Sequence, residues 1–308
     1  MKKILTIGIL LMIGATFRME AQSTLITALQ LLRQKNYIPA MDICNELLAA
    51  SPSDPSVLGV RSQIYTATGR YELALQDADR ALWIDNASDR ALYAKAEALY
   101  YGKKDYSQAL QQYDDAIKAN AQMVEAYAGK ARSLMVLQKL KDALKVIDDA
   151  LKRFPNEPEL HYVRGLVNFQ IGKTKLAIDD YDKVLSLDAD WNQYLIFLNR
   201  GHANDALMKQ DLAISDYTKA IIADPNNAGG YVARGTIQYN IARYAEAAED
   251  FKKAEILNPD NTVITYNIGM SYYKNDDRAS ACKFFQKACT AGNQNACRMV
   301  VMECSDRR

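Results

Sequence analysis

The sequence predicts an all-α solenoid of about eight helix-turn-helix repeats. Three observations lead there. An alanine recurs at Ala40, Ala74, Ala109, Ala143, Ala177, Ala213, Ala247 and Ala281, with spacings of 34, 35, 34, 34, 36, 34 and 34. A second short side chain follows seven places later, at Leu47, Ala81, Ala116, Ala150, Val184, Ala220, Ala254 and Ala288. Between them sits a mostly larger side chain, at Tyr113, Ile147, Tyr181, Tyr217, Phe251 and Phe285. One helical pair cannot bury its apolar face alone, so the pairs must stack.

In chain order, residues 1–21 come first and read as a secretory signal peptide. Lys2 and Lys3 form a basic start, and residues 4–17 carry no charge. That run is shorter than the roughly 20 residues a membrane-spanning helix needs. Ala21 and Gln22 make a small-residue cleavage point. No later apolar run approaches spanning length, so the mature chain is expected to be exported, periplasmic or secreted, without a membrane span. Disulfides are then permitted.

Composition narrows the function classes. The 38 Lys plus Arg nearly cancel the 37 Asp plus Glu, for a net charge of +1. Nucleic acid as the main ligand would call for a strong basic excess. The 49 % apolar content is too high for a disordered chain. Two histidines and five cysteines leave few groups for acid–base work or transition-metal binding.

Each repeat then reads as two helices. Residues 228–241 place apolar and aromatic residues at helical spacing, a second helix runs from about Tyr244 to Leu257, and Asn258-Pro259-Asp260-Asn261 forms the turn. Gly165, Gly201, Gly235 and Gly269 stand twelve places before four of the alanines and let the first helix lie close to the second. Pro52, Pro155, Pro225 and Pro259 close four units.

The stretch AGGYVARGTIQYNIARYAEAAEDFKKAEILNPDN resembles a tetratricopeptide repeat along its whole length. Eight such units fall near residues 21–54, 55–88, 90–123, 124–157, 158–191, 194–227, 228–261 and 262–290, a solenoid over 22–290. The resemblance implies a right-handed superhelix with a concave groove. The early units depart from the pattern. Ser62 and Glu97 take the glycine slot, and Cys44 and Ala78 take the large-side-chain slot, so helix packing there is expected to be looser or differently angled.

Residues 291–308 read as a disulfide-stapled capping helix. Cys282 and Cys289, seven apart on one helix, sit about 10 Å apart along it, too far to bridge. The same holds for Cys297 and Cys304. Residues facing each other across an antiparallel hairpin share a constant sum of positions. Of three possible pairings, only Cys289–Cys297 with Cys282–Cys304 meets that condition. Structural zinc sites pair cysteines two to four residues apart, so no metal is expected. The run ACKFFQKACTAGNQNAC also resembles Sel1-like cysteine-rich helical repeats. Cys44 is left as a buried thiol.

No catalytic constellation stands out, and neither an enzyme nor a cofactor is expected. There is no Gly-rich phosphate loop, nucleophile elbow or zinc-protease His pair. His161 falls in a packing slot. The carboxylate pairs Asp148/Asp149, Asp179/Asp180 and Glu249/Asp250 are expected mostly on the outer, solvated face.

The resemblance places the second, fifth, ninth and twelfth slots of each first helix on the concave face, one helix stripe. In units five to eight these slots include Tyr162, Leu166, Phe169, Leu198, His202, Tyr239, Tyr266, Met270 and Tyr273. In units two and three they are Ser56, Gly59, Gln63 and Thr66, then Ala91, Ala94, Ala98 and Tyr101. An apolar, tyrosine-rich face calls for a partner. The expected function is a non-catalytic protein–protein interaction scaffold of the bacterial cell envelope, with another protein or peptide segment in the C-terminal half of the groove. The small residues of units two and three would let that segment approach the backbone. The alternative is a binder of cell-envelope glycan or peptidoglycan material. The slots lack the Lys/Arg density of a carboxylate clamp.

Overall fold

Alanines at the recurring positions need a partner helix against them, and a computed structural model describing residues 22–304 supplies one for each. All eight are fully buried, and Tyr113, Ile147, Tyr181, Tyr217, Phe251 and Phe285 are buried between them. The chain divides into two compact units, before and after residue 155. The signal-peptide expectation for residues 1–21 lies outside the described residues.

The N-terminal unit packs eight helices in antiparallel pairs. They are α1 (22–33), α2 (Tyr37–Ala50), α3 (Pro55–Ala67), α4 (Tyr71–Ile84), α5 (Asp89–Ala98), α6 (Tyr106–Ala119), α7 (Val124–Val136) and α8 (Leu140–Arg153). The sequence sets their starts: Asp54 accepts from the Ser56 and Val57 amides ahead of α3, with Pro55 at the first helical position. Cys44 is fully buried in a core with Ala28, Ala40, Leu58 and Ile64. Burial pushes its thiol up to about 12, so it stays protonated.

The departures from the repeat pattern do not loosen this unit. Ser62 is fully buried and its hydroxyl donates to the Ala74 carbonyl at 2.7 Å. Glu97 accepts the Tyr113 hydroxyl. The one extra residue between Ala74 and Ala109 is taken up by a π-turn, Leu99–Lys103, at the end of α5. Lys104, at φ +54°, then turns the chain into α6. Gly102 belongs to this turn because a Cβ there would meet the Tyr71 ring at 2.5 Å.

The C-terminal unit contains α9 (Pro158–Gln170), α10 (Thr174–Leu187), α11 (Gln193–Ala206), α12 (Gln210–Ala223), α13 (Ala228–Asn240), α14 (Tyr244–Leu257), α15 (Thr262–Lys274), α16 (Arg278–Thr290) and α17 (Gln294–Met299). A second π-turn, Val300–Cys304, follows α17. Asn227, Asn261, Asp277 and Asn293 cap α13, α15, α16 and α17 through their side chains. The two extra residues between Ala177 and Ala213 fall in the α10–α11 connection, where Asn192 is left-handed and Trp191 packs on Tyr162, ring centres 5.1 Å apart. Disulfides join Cys282 to Cys304 and Cys289 to Cys297, with Cα separations of 5.5 and 4.6 Å. They hold α17 and its π-turn onto α16.

Buried ion pairs repeat with the fold and correct one sequence expectation. Asp77, Asp180, Asp216 and Asp250 are buried, and each takes two guanidinium nitrogens from the arginine sixteen residues earlier: Arg61, Arg164, Arg200 and Arg234. Asp179 and Glu249 are exposed, but their neighbours Asp180 and Asp250 face inward. Consecutive helix residues point about 100° apart, so each pair straddles the solvent boundary instead of lying on the outer face.

Candidate functional site

The repeat spacing brings α13 and α15 side by side, and their facing stripes enclose a cleft. Tyr239, Tyr266 and Met270 line a cavity of about 210 Å³ together with Thr236, Asn267 and the edge of Phe251. The arrangement follows from packing. Phe251 is buried with Ala247, Ala254, Ile264 and Ile268, and forms the floor. Tyr239 stands edge-on to Tyr244 at 5.3 Å. Tyr266 tilts against Phe285 at 5.9 Å. Burial raises the Tyr239 phenol above its ordinary value, with Tyr244 and Tyr266 nearby adding to the shift, so the hydroxyl stays a neutral donor and acceptor. Apolar walls with a hydroxyl and an amide at the edge suit a side chain or backbone segment inserted from outside.

The other residues expected at the groove are placed differently. Tyr162 is only 9 % exposed; its ring packs on Tyr181 and Trp191, and its hydroxyl accepts from Asn199 Nδ2 at 3.1 Å. It is a packing residue. His202 is half-buried, with Nδ1 2.9 Å from the Tyr217 hydroxyl. Burial lowers its pKa below the ordinary histidine value, and Asp205 opposes the shift. Leu166, Phe169 and Leu198 are half-buried on α9 and α11 and do not reach the cleft. Tyr273 lies 6.4 Å from Phe285, outside it. His161 is buried in α9, its Nδ1 3.6 Å from Asp180 Oδ1.

In the N-terminal unit the expectation of an open floor of small residues is corrected. Gly59, Ala91, Ala94 and Ala98 are buried, because α3 and α5 lie directly against each other. A Cβ on Gly59 would stand 3.1 Å from the Ala91 backbone nitrogen. What opens there is a cavity of about 440 Å³, with Tyr71, Tyr93 and Tyr101 on its walls and Gln63 and Thr66 below. Sequence reasoning missed it because Tyr71 belongs to a second helix, α4, outside the groove slots. The 35-residue spacing that marks the π-turn was the available signal.

No group of three or more His, Cys, Asp or Glu able to hold a metal occurs among the described residues. None of the described helices is long and apolar enough to cross a membrane.

Tetratricopeptide repeat family models match residues 100–167, 158–190 and 232–296. Tetratricopeptide repeat protein 16 of Mus musculus is 24 % identical over 241 residues, covering 74 % of this chain. The chain spans only part of the length of the curated relatives it matches, 28 % in that case. Among solved structures, a chain of the APC/C hetero-tetramer Cut9-Hcn1 superposes with a TM-score of 0.71 at 14 % identity, covering 91 % of this chain and 55 % of that one. YrrB, described as a TPR protein with an unusual peptide-binding site, gives 0.51 at 22 % identity, covering 61 % and 97 %. Repeat period, buried alanine ladder, paired helices and family matches agree: the chain is a tetratricopeptide repeat protein, built as stacked helix-turn-helix units.

Proposed function

We propose that this chain is a non-catalytic interaction scaffold that holds a segment of another protein in the cleft between α13 and α15. The observation that carries the reading is the convergence of Tyr239, Tyr266 and Met270 on one cavity. Tyrosine offers broad contact area with a polar tip, and methionine adapts its shape to what it meets. The likeness to YrrB, described as having a peptide-binding site, adds support. The scaffold works outside the cytoplasm, in the cell envelope or beyond. The basic-then-apolar start of the sequence and two disulfides, which persist in oxidising compartments, support that placement.

Photo-crosslinking tests the cleft. With benzoylphenylalanine in place of Met270, the purified chain should crosslink one discrete protein in native extract. Tyr239→Ala with Tyr266→Ala should abolish that crosslink while the circular dichroism spectrum is kept. An undiminished crosslink in the double variant sinks the cleft assignment. Fractionation of cells, with N-terminal sequencing of the recovered chain, tests export; an intact Met1 in the cytoplasmic fraction overturns it.

A further inference from the structure

The end of the chain copies the start of a repeat and then breaks off. Asn227, Asn261 and Asn293 each cap a helix through the side chain, α13, α15 and α17 in turn. The residue three places on is buried in every case: Gly230, Ile264 and Ala296. So α17 begins as the first helix of a repeat begins, packed on the second helix of the repeat before it, α16. But α13 and α15 run for 13 residues, and α17 runs for 6 before its π-turn. No second helix follows among the described residues to cover it, and one element of a repeat cannot bury an apolar face alone.

Little besides sulfur holds this fragment down. Ala296 is the one buried residue of α17, and the π-turn has none. Val301 and Met302 stand 72 % and 62 % exposed. A helix this short is not stable in water by itself. One alanine methyl removes too little apolar surface from water to offset the entropy of ordering the segment. Two side-chain ties reach the neighbouring helices. The Asn293 amide donates to the Thr262 carbonyl at 3.2 Å, and Arg278 pairs with Glu303. The Arg278 side chain is 64 % exposed, so solvent screens that pair. The disulfides are what remains: Cys289–Cys297 near the start of the fragment and Cys282–Cys304 at its end. None of these four cysteines is buried, and thiol–disulfide exchange depends on access as well as on the attacking thiolate.

We propose that residues 293–304 form a redox-operated cap, docked on α16 while both disulfides stand and released when a dithiol reduces them. In each exchange a thiolate of the dithiol attacks one sulfur of the disulfide and expels the other as thiolate, leaving a mixed disulfide. The second thiol of the dithiol, deprotonated, then displaces the remaining cysteine. Two electrons pass to each protein disulfide, so two dithiols end as disulfides and four cysteine thiols are formed. Released, the fragment leaves α16 as the last helix of the solenoid. The helices before it keep their packing, because Phe285 of α16 lies back on Tyr266 and Tyr273 of α15. The device depends on neither the α13–α15 cleft nor its ligand.

The test treats the oxidised full chain with excess dithiothreitol in native buffer. Iodoacetamide labelling with mass spectrometry reads the thiols, and hydrogen exchange reads the backbone. Cys282, Cys289, Cys297 and Cys304 should take the label, while Cys44, buried and protonated, should not until urea is added. Amide protection should be lost over residues 293–304 and kept over α13 to α16. Oxidised glutathione, added to reduced chain that has not been alkylated, should restore both disulfides and the protection. A variant carrying Cys282→Ser, Cys289→Ser, Cys297→Ser and Cys304→Ser should show the released cap with no reductant present. Disulfides that resist dithiothreitol until urea unfolds the chain would overturn the proposal. So would equal exchange of residues 293–304 in the oxidised and reduced forms, or loss of protection that spreads through α13 to α16.

Discussion

Asp180 shows how a carboxylate can be held deep inside a helix pair. Burial raises its pKa, but His161, Arg164 and Asn168 outweigh that, and the net shift is downward. A carboxyl with a lowered folded value contributes stability that is fully present above the unfolded value, about 3.9. That contribution is lost as pH falls through the folded value. The urea midpoint of the wild type should therefore drop steeply below about pH 4. Asp180→Asn should be less stable at neutral pH and show a flatter acid limb. Parallel acid limbs for the two proteins would mean that Asp180 carries no such linkage. The sequence did not reveal this residue, because Asp179 and Asp180 look alike as letters and differ only in direction.

Turns and caps explain how each element meets the next. A left-handed residue stands in the turn within most pairs, and it is often not glycine: Lys35, Lys104, Gln138, Met208, Ala242 and Asp276 all have positive φ. Gly69 and Gly172 do the same work without a Cβ to strain. Ala242, at φ +63°, has no polar side chain to compensate. Ala242→Gly should raise stability by about 0.5–1 kcal/mol, the left-handed penalty less the extra chain entropy of glycine. Urea denaturation at constant slope would show it, and a lowered midpoint would refute it. At this scale the sequence was highly legible where one period governs everything, as in the alanine ladder and its aromatic fillers. It was ambiguous where one letter serves two purposes. Ala91, Ala94 and Ala98 fit an open floor as well as a helix contact, and only the closeness of α3 to α5 decides for the contact. The cleft was half-legible. Tyr239, Tyr266 and Met270 follow from the stripe, but Tyr162 is claimed by Trp191, which sits in a connection of irregular length that no repeat pattern anticipates.

The molecule as a whole is a set of units that carry their own cores. The C-terminal unit buries Phe251, Phe285 and Ile268 among its own helices and closes its end with two disulfides. A chain of residues 156–308 should therefore stay helical by circular dichroism and unfold cooperatively when oxidised; a featureless coil spectrum would show that the unit depends on the rest of the chain. The arginine–aspartate pairs add a further consequence. Arg200 and Asp216 lie on α11 and α12, within a single repeat, as do Arg234 and Asp250 on α13 and α14. Removing one partner of a buried pair costs about 3–5 kcal/mol, but excising or duplicating a whole repeat removes or adds both partners together. In these two repeats the buried aspartate is thus paired from within, while more exposed charges tie neighbouring repeats together, as Arg200 also does with Asp182 on α10. A gene built this way can lengthen or shorten in steps of one repeat without stranding a charge in the interior.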